Sequence, residues 1–253
     1  MGKVEKPLRA VFFDLDGTLL NLEVEEFMPP YIEALTESLS KYVPAPAFQR
    51  ALFAGISAML SEGDGAASNE ERFWAAFERE SGVPYHKIAG PVARFYAEEF
   101  PRLSYVATRV PIAAEVVQRV RERVERVVLA TNAIFPAKAI EVRMEWAGLD
   151  PSLFDFVTTY EVMHAAKPHA RYYKEICEKL GLDPAEVLMI GNHPEQDIEG
   201  ASQAGLWTYL VDDLDGKPRD LGEISIQEEA PNGRGSLAAV PAFVDLLQRR
   251  AGR

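Results

Sequence analysis

Short apolar runs alternate with longer amphipathic stretches at both ends of the chain, while the middle carries amphipathic stretches alone. The runs Val11–Leu15, Arg126–Ala130, Phe154–Thr158, Val187–Ile190 and Trp207–Val211 have the length and composition of buried strands. Between them, Ala113–Arg123, Pro136–Ala147, Ala170–Leu180 and Glu195–Ala204 repeat apolar residues at three- and four-residue spacing, the period of one helix face. Strands separated by such helices pair in parallel, and the helices cover both faces of the sheet. The pattern therefore predicts an α/β fold with a doubly wound parallel sheet.

The middle of the chain has a different texture. Helical runs are expected over Pro30–Tyr42, Ala45–Ser61, Asn69–Ser81 and Tyr85–Phe100, with no strand among them. Gly63–Ser68 is a turn-rich break, and Asn69 is read as the N-cap of the next helix, with Glu70 and Glu71 near the positive end of its dipole. The domain organisation expected is a core of residues 1–20 and 109–253 and an inserted all-helical cap, 21–108. Glu223–Gly235, rich in Glu, Gly and Pro, reads as a surface loop.

Composition narrows the possible partners. A chain of 253 residues that is 47% hydrophobic has enough apolar material for one large core or two modest ones. A formal charge of -12 argues against a nucleic-acid surface, which requires clustered Lys and Arg. The single cysteine, Cys177, lies in a helical run and reads as a core thiol, in keeping with a reducing compartment. Met1–Arg9 is charged and leads straight into a strand, without a signal-peptide core or a membrane-length apolar span. The expectation is a cytoplasmic protein, monomer or homodimer, with no membrane partner.

The chemistry gathers at four points that a parallel sheet brings to its carboxyl edge. At the first strand end, Asp14 and Asp16 stand two residues apart, followed by Gly17, where the backbone turns. One carboxylate can attack phosphorus, forming an acyl phosphate that water later opens, while the other moves a proton. Two adjacent anions repel a phosphate, so a divalent cation is required to offset them. The second point is Thr131-Asn132, a hydroxyl and an amide able to hold phosphate oxygens, although the same pair is common turn chemistry. The third is Lys167-Pro168, where proline keeps the backbone out of a helix and the ammonium serves as a point charge for phosphate. The fourth runs from Gly191-Asn192-His193 to Asp197, which can reach back to a metal.

These four motifs, in this order, resemble those of the haloacid dehalogenase superfamily of aspartate-nucleophile hydrolases, in its phosphatase branch. The resemblance covers about residues 8–212. It implies a Rossmann-like core, with Asp14 as nucleophile and Asp16 as general acid and base. It also implies that Thr131 and Asn132 bind phosphate, that Lys167 steadies it, and that Mg2+ is held by Asp14, Asp16, Asp197 and Asn192. The long gap between Asp14 and Thr131 places the helical cap between motifs one and two, where the family closes over small phosphorylated metabolites.

One position departs from the family pattern: Asn192 stands where an aspartate is usual, lowering the site's formal charge. His193 is read as a structural or cap-facing residue, since magnesium prefers oxygen, and His164 and His169, which flank Lys167, as loop residues. Glu25, Arg72, Trp74, Arg94 and Tyr96 are candidate selectors of the leaving group, each equally explained by packing or surface charge. Three alternatives stay open. A 2-haloacid dehalogenase-like hydrolase would lack the equivalent of Asp16; a phosphonate-cleaving enzyme would need a cap lysine, for which Lys41 and Lys87 are the choices; and a catalytically weakened regulatory or binding protein would keep the fold alone.

Overall fold

The structure, a computed structural model, describes residues 6–63, 65–214 and 225–251. Met1–Glu5 of the charged N-terminal segment, Asp64 of the turn-rich break, and Glu223 and Ile224 of the expected loop lie outside the described residues.

The strands are β1 (Ala10–Phe13), β2 (Leu20–Asn21), β3 (Thr108–Arg109), β4 (Arg126–Leu129), β5 (Phe156–Val157), β6 (Val187–Gly191), β7 (Trp207–Asp213) and β8 (Gly233–Ser236). Six of them form a wholly parallel sheet in the order β5-β4-β1-β6-β7-β8. The twofold alternation of a strand splits the core. Val11, Phe13, Val127, Leu129 and Leu188 join one apolar cluster, and Ala10, Phe12, Val128 and Met189 join the other. Helices α5 (Ala113–Arg121), α6 (Ala137–Ala147) and α9 (Val240–Ala251) contribute to the first cluster, and α7 (Ala170–Leu180) and α8 (Gly200–Ala204) to the second. Cys177 is buried in the second cluster, as expected, and burial pushes its thiol up to about 12.

Residues 24–106 carry α1 (Val24–Leu39), α2 (Ala45–Leu60), α3 (Asn69–Ser81) and α4 (Tyr85–Arg94), then a π-helical turn, Phe95–Glu99, and a 3-10 segment, Phe100–Val106. The chain leaves for this helical insertion through β2 and returns through β3, and the two pair antiparallel, Leu20 with Arg109 and Asn21 with Thr108. Aromatic contacts tie the insertion to α6 and to the loop that leads into it. Tyr31 meets Phe135 at 5.6 Å between ring centroids, and Phe100 stacks on Trp146 at 5.3 Å. Among the described residues no helix is long and apolar enough to cross a membrane.

Four sequence expectations change. Helix α1 starts at Val24 and runs through Pro29 and Pro30, so proline there does not mark its start. The helix expected over Glu195–Ala204 is a π-helical turn, Pro194–Glu199, followed by the short α8. The N-cap of α3 is Ser68, not Asn69: Ser68 Oγ accepts from Glu71 N–H, and Glu71 accepts from Ser68 N–H, a reciprocal capping box. Finally, the end of the expected surface loop is strand β8. Gly233 has no side chain because the rings of Phe243 and Tyr209 fill that space, so this edge strand carries no apolar alternation to read.

Candidate functional site

Because neighbouring strands run parallel, the ends of β4, β1 and β6 open onto one edge, and the four motifs converge there. The β1 ladder continues one step into the site through Asp14 N–H to Ile190 C=O at 2.9 Å. The chain then turns at Gly17, whose φ of 79° is left-handed, and a Cβ there would lie 2.2 Å from Asn192 Nδ2. Glycine thus allows the Asn192 amide to lie against this turn, where its Oδ1 accepts from Thr18 Oγ1 at 3.3 Å.

Lys167 is the hinge of the site's charges. Its ammonium, 1% exposed, donates to Asp14 Oδ1 at 2.7 Å and to Asp197 Oδ1 at 2.6 Å. The other oxygen of Asp197 accepts from His193 N–H at 2.9 Å, which ties the fourth motif into the same constellation. Asn132 Oδ1 accepts from Lys167 N–H at 3.2 Å, and its amide nitrogen donates to Gln196 at 3.4 Å. The carbonyl of Thr131 is held from behind by Thr158 and Tyr172 hydroxyls, both at 2.7 Å.

Burial sets the electrostatics. It raises the Asp14 carboxyl to about 7, with Lys167 opposing and Asp197 and Asp16 adding to the rise. Asp16 is raised by burial too, against the pull of Arg143 and Lys167. Burial acts to lower Lys167, but the carboxylates of Asp14 and Asp197 outweigh it and hold the ammonium well above its ordinary value. The group nearest Asp14 is therefore a retained cation.

All seven predicted site residues, Asp14, Asp16, Thr131, Asn132, Lys167, Asn192 and Asp197, line one cleft of about 430 Å³. Among the candidate selectors only Glu25 lines it. Trp74 and Tyr96 face a separate apolar cavity, Arg72 bonds the carbonyls of Ser61 and His164, and Arg94 is exposed. Lys41 and Lys87 are exposed as well, away from the cleft lining. His164 pairs with Glu175, and His169 meets the Leu60 carbonyl at 2.7 Å; both are loop residues, as expected. His193 does line the cleft, with its Nδ1 accepting from Gln196 N–H.

Sequence reasoning missed Arg143. This residue of α6 is 1% exposed, donates through Nη1 to Asp16 Oδ2, and lies 4.4 Å from the centre of the Phe135 ring. The signal was an arginine three or four residues from Ala139, Ile140 and Ala147, on the apolar face of its helix, since a buried guanidinium requires an acidic partner.

Among the described residues no three His, Cys, Asp or Glu side chains cluster as a metal site. The cleft lining does offer hard oxygens, from the carboxylates of Asp14, Asp16 and Asp197 and the amide of Asn192. That set fits a magnesium ion, which binds through one or two carboxylates and keeps several waters.

Comparison with known proteins agrees with this geometry. The sequence profile of the haloacid dehalogenase-like hydrolases matches residues 8–205. The chain is 32% identical over 133 residues to the phosphatase MT3486 of Mycobacterium tuberculosis, covering 50% of this chain and 60% of that protein. It is 25% identical over 205 residues to a glyceraldehyde 3-phosphate phosphatase of Pyrococcus abyssi, covering 79% and 80%. In fold it resembles a HAD phosphatase from Thermococcus onnurineus, with a TM-score of 0.54, 18% identity and coverage of 94% and 98%. It also resembles a 2-haloacid dehalogenase from Pseudomonas syringae pv. Tomato DC3000, with a TM-score of 0.57, 20% identity and coverage of 94% and 99%. With its motifs at the carboxyl edge of the sheet and the profile spanning most of its length, this chain belongs to the haloacid dehalogenase-like hydrolases.

Proposed function

We propose that this protein is a Mg2+-dependent phosphatase that hydrolyses a small phosphate monoester through an aspartyl-phosphate on Asp14. The observation that carries the reading is Lys167, whose buried ammonium touches both Asp14 and Asp197. It neutralises part of the acidic site and leaves a fixed positive charge beside the attacking oxygen. Asp14 attacks phosphorus, the bond from phosphorus to the leaving oxygen breaks, and Asp16 supplies the proton that oxygen needs. Asp16 then takes a proton from water as the water attacks phosphorus, which releases phosphate and restores the Asp14 carboxylate. Thr131 and Asn132 hold the non-bridging oxygens. Asp14, the Asp16 carbonyl, Asn192 and Asp197 would hold the cation, which when bound offsets the negative charge of the phosphoryl group.

The presence of Asp16 favours an ester over a carbon-halogen bond, because only the alkoxide leaving group requires a proton. Residues 21–108 act in this reading as a cap over the core of 1–20 and 109–253, keeping bulk water from the acyl phosphate. The test is phosphate release from a panel of phosphorylated metabolites with and without magnesium. Turnover that stops with chelator and in Asp14→Asn is the expected result; folded protein with no turnover and no magnesium binding would overturn the reading.

A further inference from the structure

Two cavities meet at the helical insertion. The cleft over Asp14 shares Met28, Ile134 and Phe135 with a smaller cavity of about 40 Å³ enclosed by the insertion. The walls of this chamber are aliphatic and aromatic, with Leu35, Leu52, Phe77 and Val92 among them, and no charged side chain lines it among the described residues. Its polar atoms face each other: the hydroxyls of Tyr31 and Tyr96 are 2.7 Å apart, and Trp74 Nε1 donates to Tyr160 Oη at 3.4 Å.

The cleft itself continues this character. Beyond the strand ends its lining includes Leu22, Val24 and Leu60, and the last two are 50% and 37% exposed. Apart from Asp14, Asp16, Lys167 and Asp197, its Asp, Glu, Lys and Arg lining is acidic, from Glu23, Glu25 and Glu195. Among the described lining residues Lys167 is the one Lys or Arg, and both Asp14 and Asp197 already engage it. A leaving group bearing a second phosphate or a carboxylate would meet three glutamates and no uncommitted cation.

Resting on the phosphatase reading above, we infer that the leaving group is an uncharged, apolar alcohol, alkyl or aryl, whose hydrocarbon part enters the chamber past Met28. The two cavities are divided only by the wall of Met28, Ile134 and Phe135 that lines both, and Met28, unbranched and adaptable, is the member of that wall best able to move aside. Polar recognition then ends at the phosphoryl group, and the chamber selects by shape and burial.

The experiment compares kcat/KM for n-alkyl phosphates from methyl upward, and for ethyl phosphate against its carboxylate-bearing counterpart phosphoglycolate. We expect a rise of about fourfold per methylene until the chamber is full, with phosphoglycolate slower than ethyl phosphate. In Val92→Phe, which narrows the chamber, the gain with length should disappear. A flat or falling series in an active enzyme overturns the inference. Calorimetric titration of n-alkylphosphonates with magnesium separates this failure from that of the parent reading. Binding that strengthens with chain length in a protein without turnover retains the chamber and removes the phosphatase. Binding that is absent or independent of length removes the chamber whatever the turnover, and the wild-type titration stands if Val92→Phe does not fold.

Discussion

Arg143 and Asp16, 127 positions apart in sequence, form a buried ion pair beneath the cleft, with the guanidinium face over Phe135. Asp16 Oδ1 and the Nε and Nη2 atoms of Arg143 are buried without a hydrogen-bond partner among the described residues, so the contact through Nη1 is the main compensation of the two charges, with Lys167 adding to it for Asp16. Removing one member of such a pair leaves the other desolvated and alone. Arg143→Met should therefore lower the unfolding free energy by about 3 kcal/mol or more, measured by urea denaturation. Arg143→Lys should recover only part, because an ammonium offers neither the planar face over Phe135 nor the forked donors. A loss under about 1 kcal/mol in the Met variant would show that the pair contributes no more than a surface bridge.

Asn192 makes a second prediction. Its amide oxygen lies beside Thr18 and Gly17 at the end of β6, where a carboxylate would add one negative charge to those of Asp14 and Asp197. Asn192→Asp should tighten magnesium binding by at least about tenfold, read by isothermal titration calorimetry. Unchanged affinity would place residue 192 outside the cation's donor set.

The start of α3 is fastened to the loops that carry the motifs. Asn69 Nδ2 donates to the buried carbonyls of Ala133 at 2.9 Å and Ala165 at 3.0 Å, and the backbone N–H groups of Asn69 and Glu70 reach Met163 and Tyr160. Asn69→Ala strands both carbonyls and should cost about 2 kcal/mol, whereas loss of the neighbouring cap in Ser68→Ala should cost about 1 kcal/mol. Because Ala133 and Ala165 follow Thr131 and precede Lys167, Asn69→Ala should also reduce kcat, while Ser68→Ala should not. Equal effects of the two substitutions on kcat would refute the coupling.

Asp155 gives a pH-dependent test away from the site. Burial acts to raise its carboxyl, but the Val127 N–H at 2.8 Å and the guanidinium groups of Arg121 and Arg126 outweigh it and hold the group below its ordinary value. The folded protein thus binds this proton less tightly than the unfolded chain. The stabilisation is present above the unfolded value near 4 and is lost as pH falls through the lower folded value. Asp155→Ala should be less stable than the parent by about 2 kcal/mol at pH 7, and the gap should narrow below pH ~4. A gap that stays constant down to pH ~3 would assign the effect to lost packing instead of charge.

The alternation of strands and helices, the all-helical middle, and the motifs of Asp14, Thr131 and Asn192 at strand ends were all legible in the linear sequence. Each is written within a few residues: an apolar run, then a carboxylate, hydroxyl or amide where the run stops. Parallel pairing then brings Asp14, Thr131 and Asn192 together, because every such strand end faces the same edge. Local pattern carries no comparable record of β8, whose glycines make room for Phe243 and Tyr209 instead of showing an apolar alternation. Nor does it reveal that Asn69 bonds two distant carbonyls instead of capping its own helix, a choice settled by where α3 docks. Arg143 is the clearest case: the helical period of α6 put it on the apolar face without singling it out, and its burial and its pairing with Asp16 depended on the sheet order and the packing of α6 beneath the cleft. The sequence alone determined which residues meet at the carboxyl edge; tertiary packing decided which charges are paired there and left an apolar chamber beside them, because burial and partnership depend on neighbours that are distant in the chain.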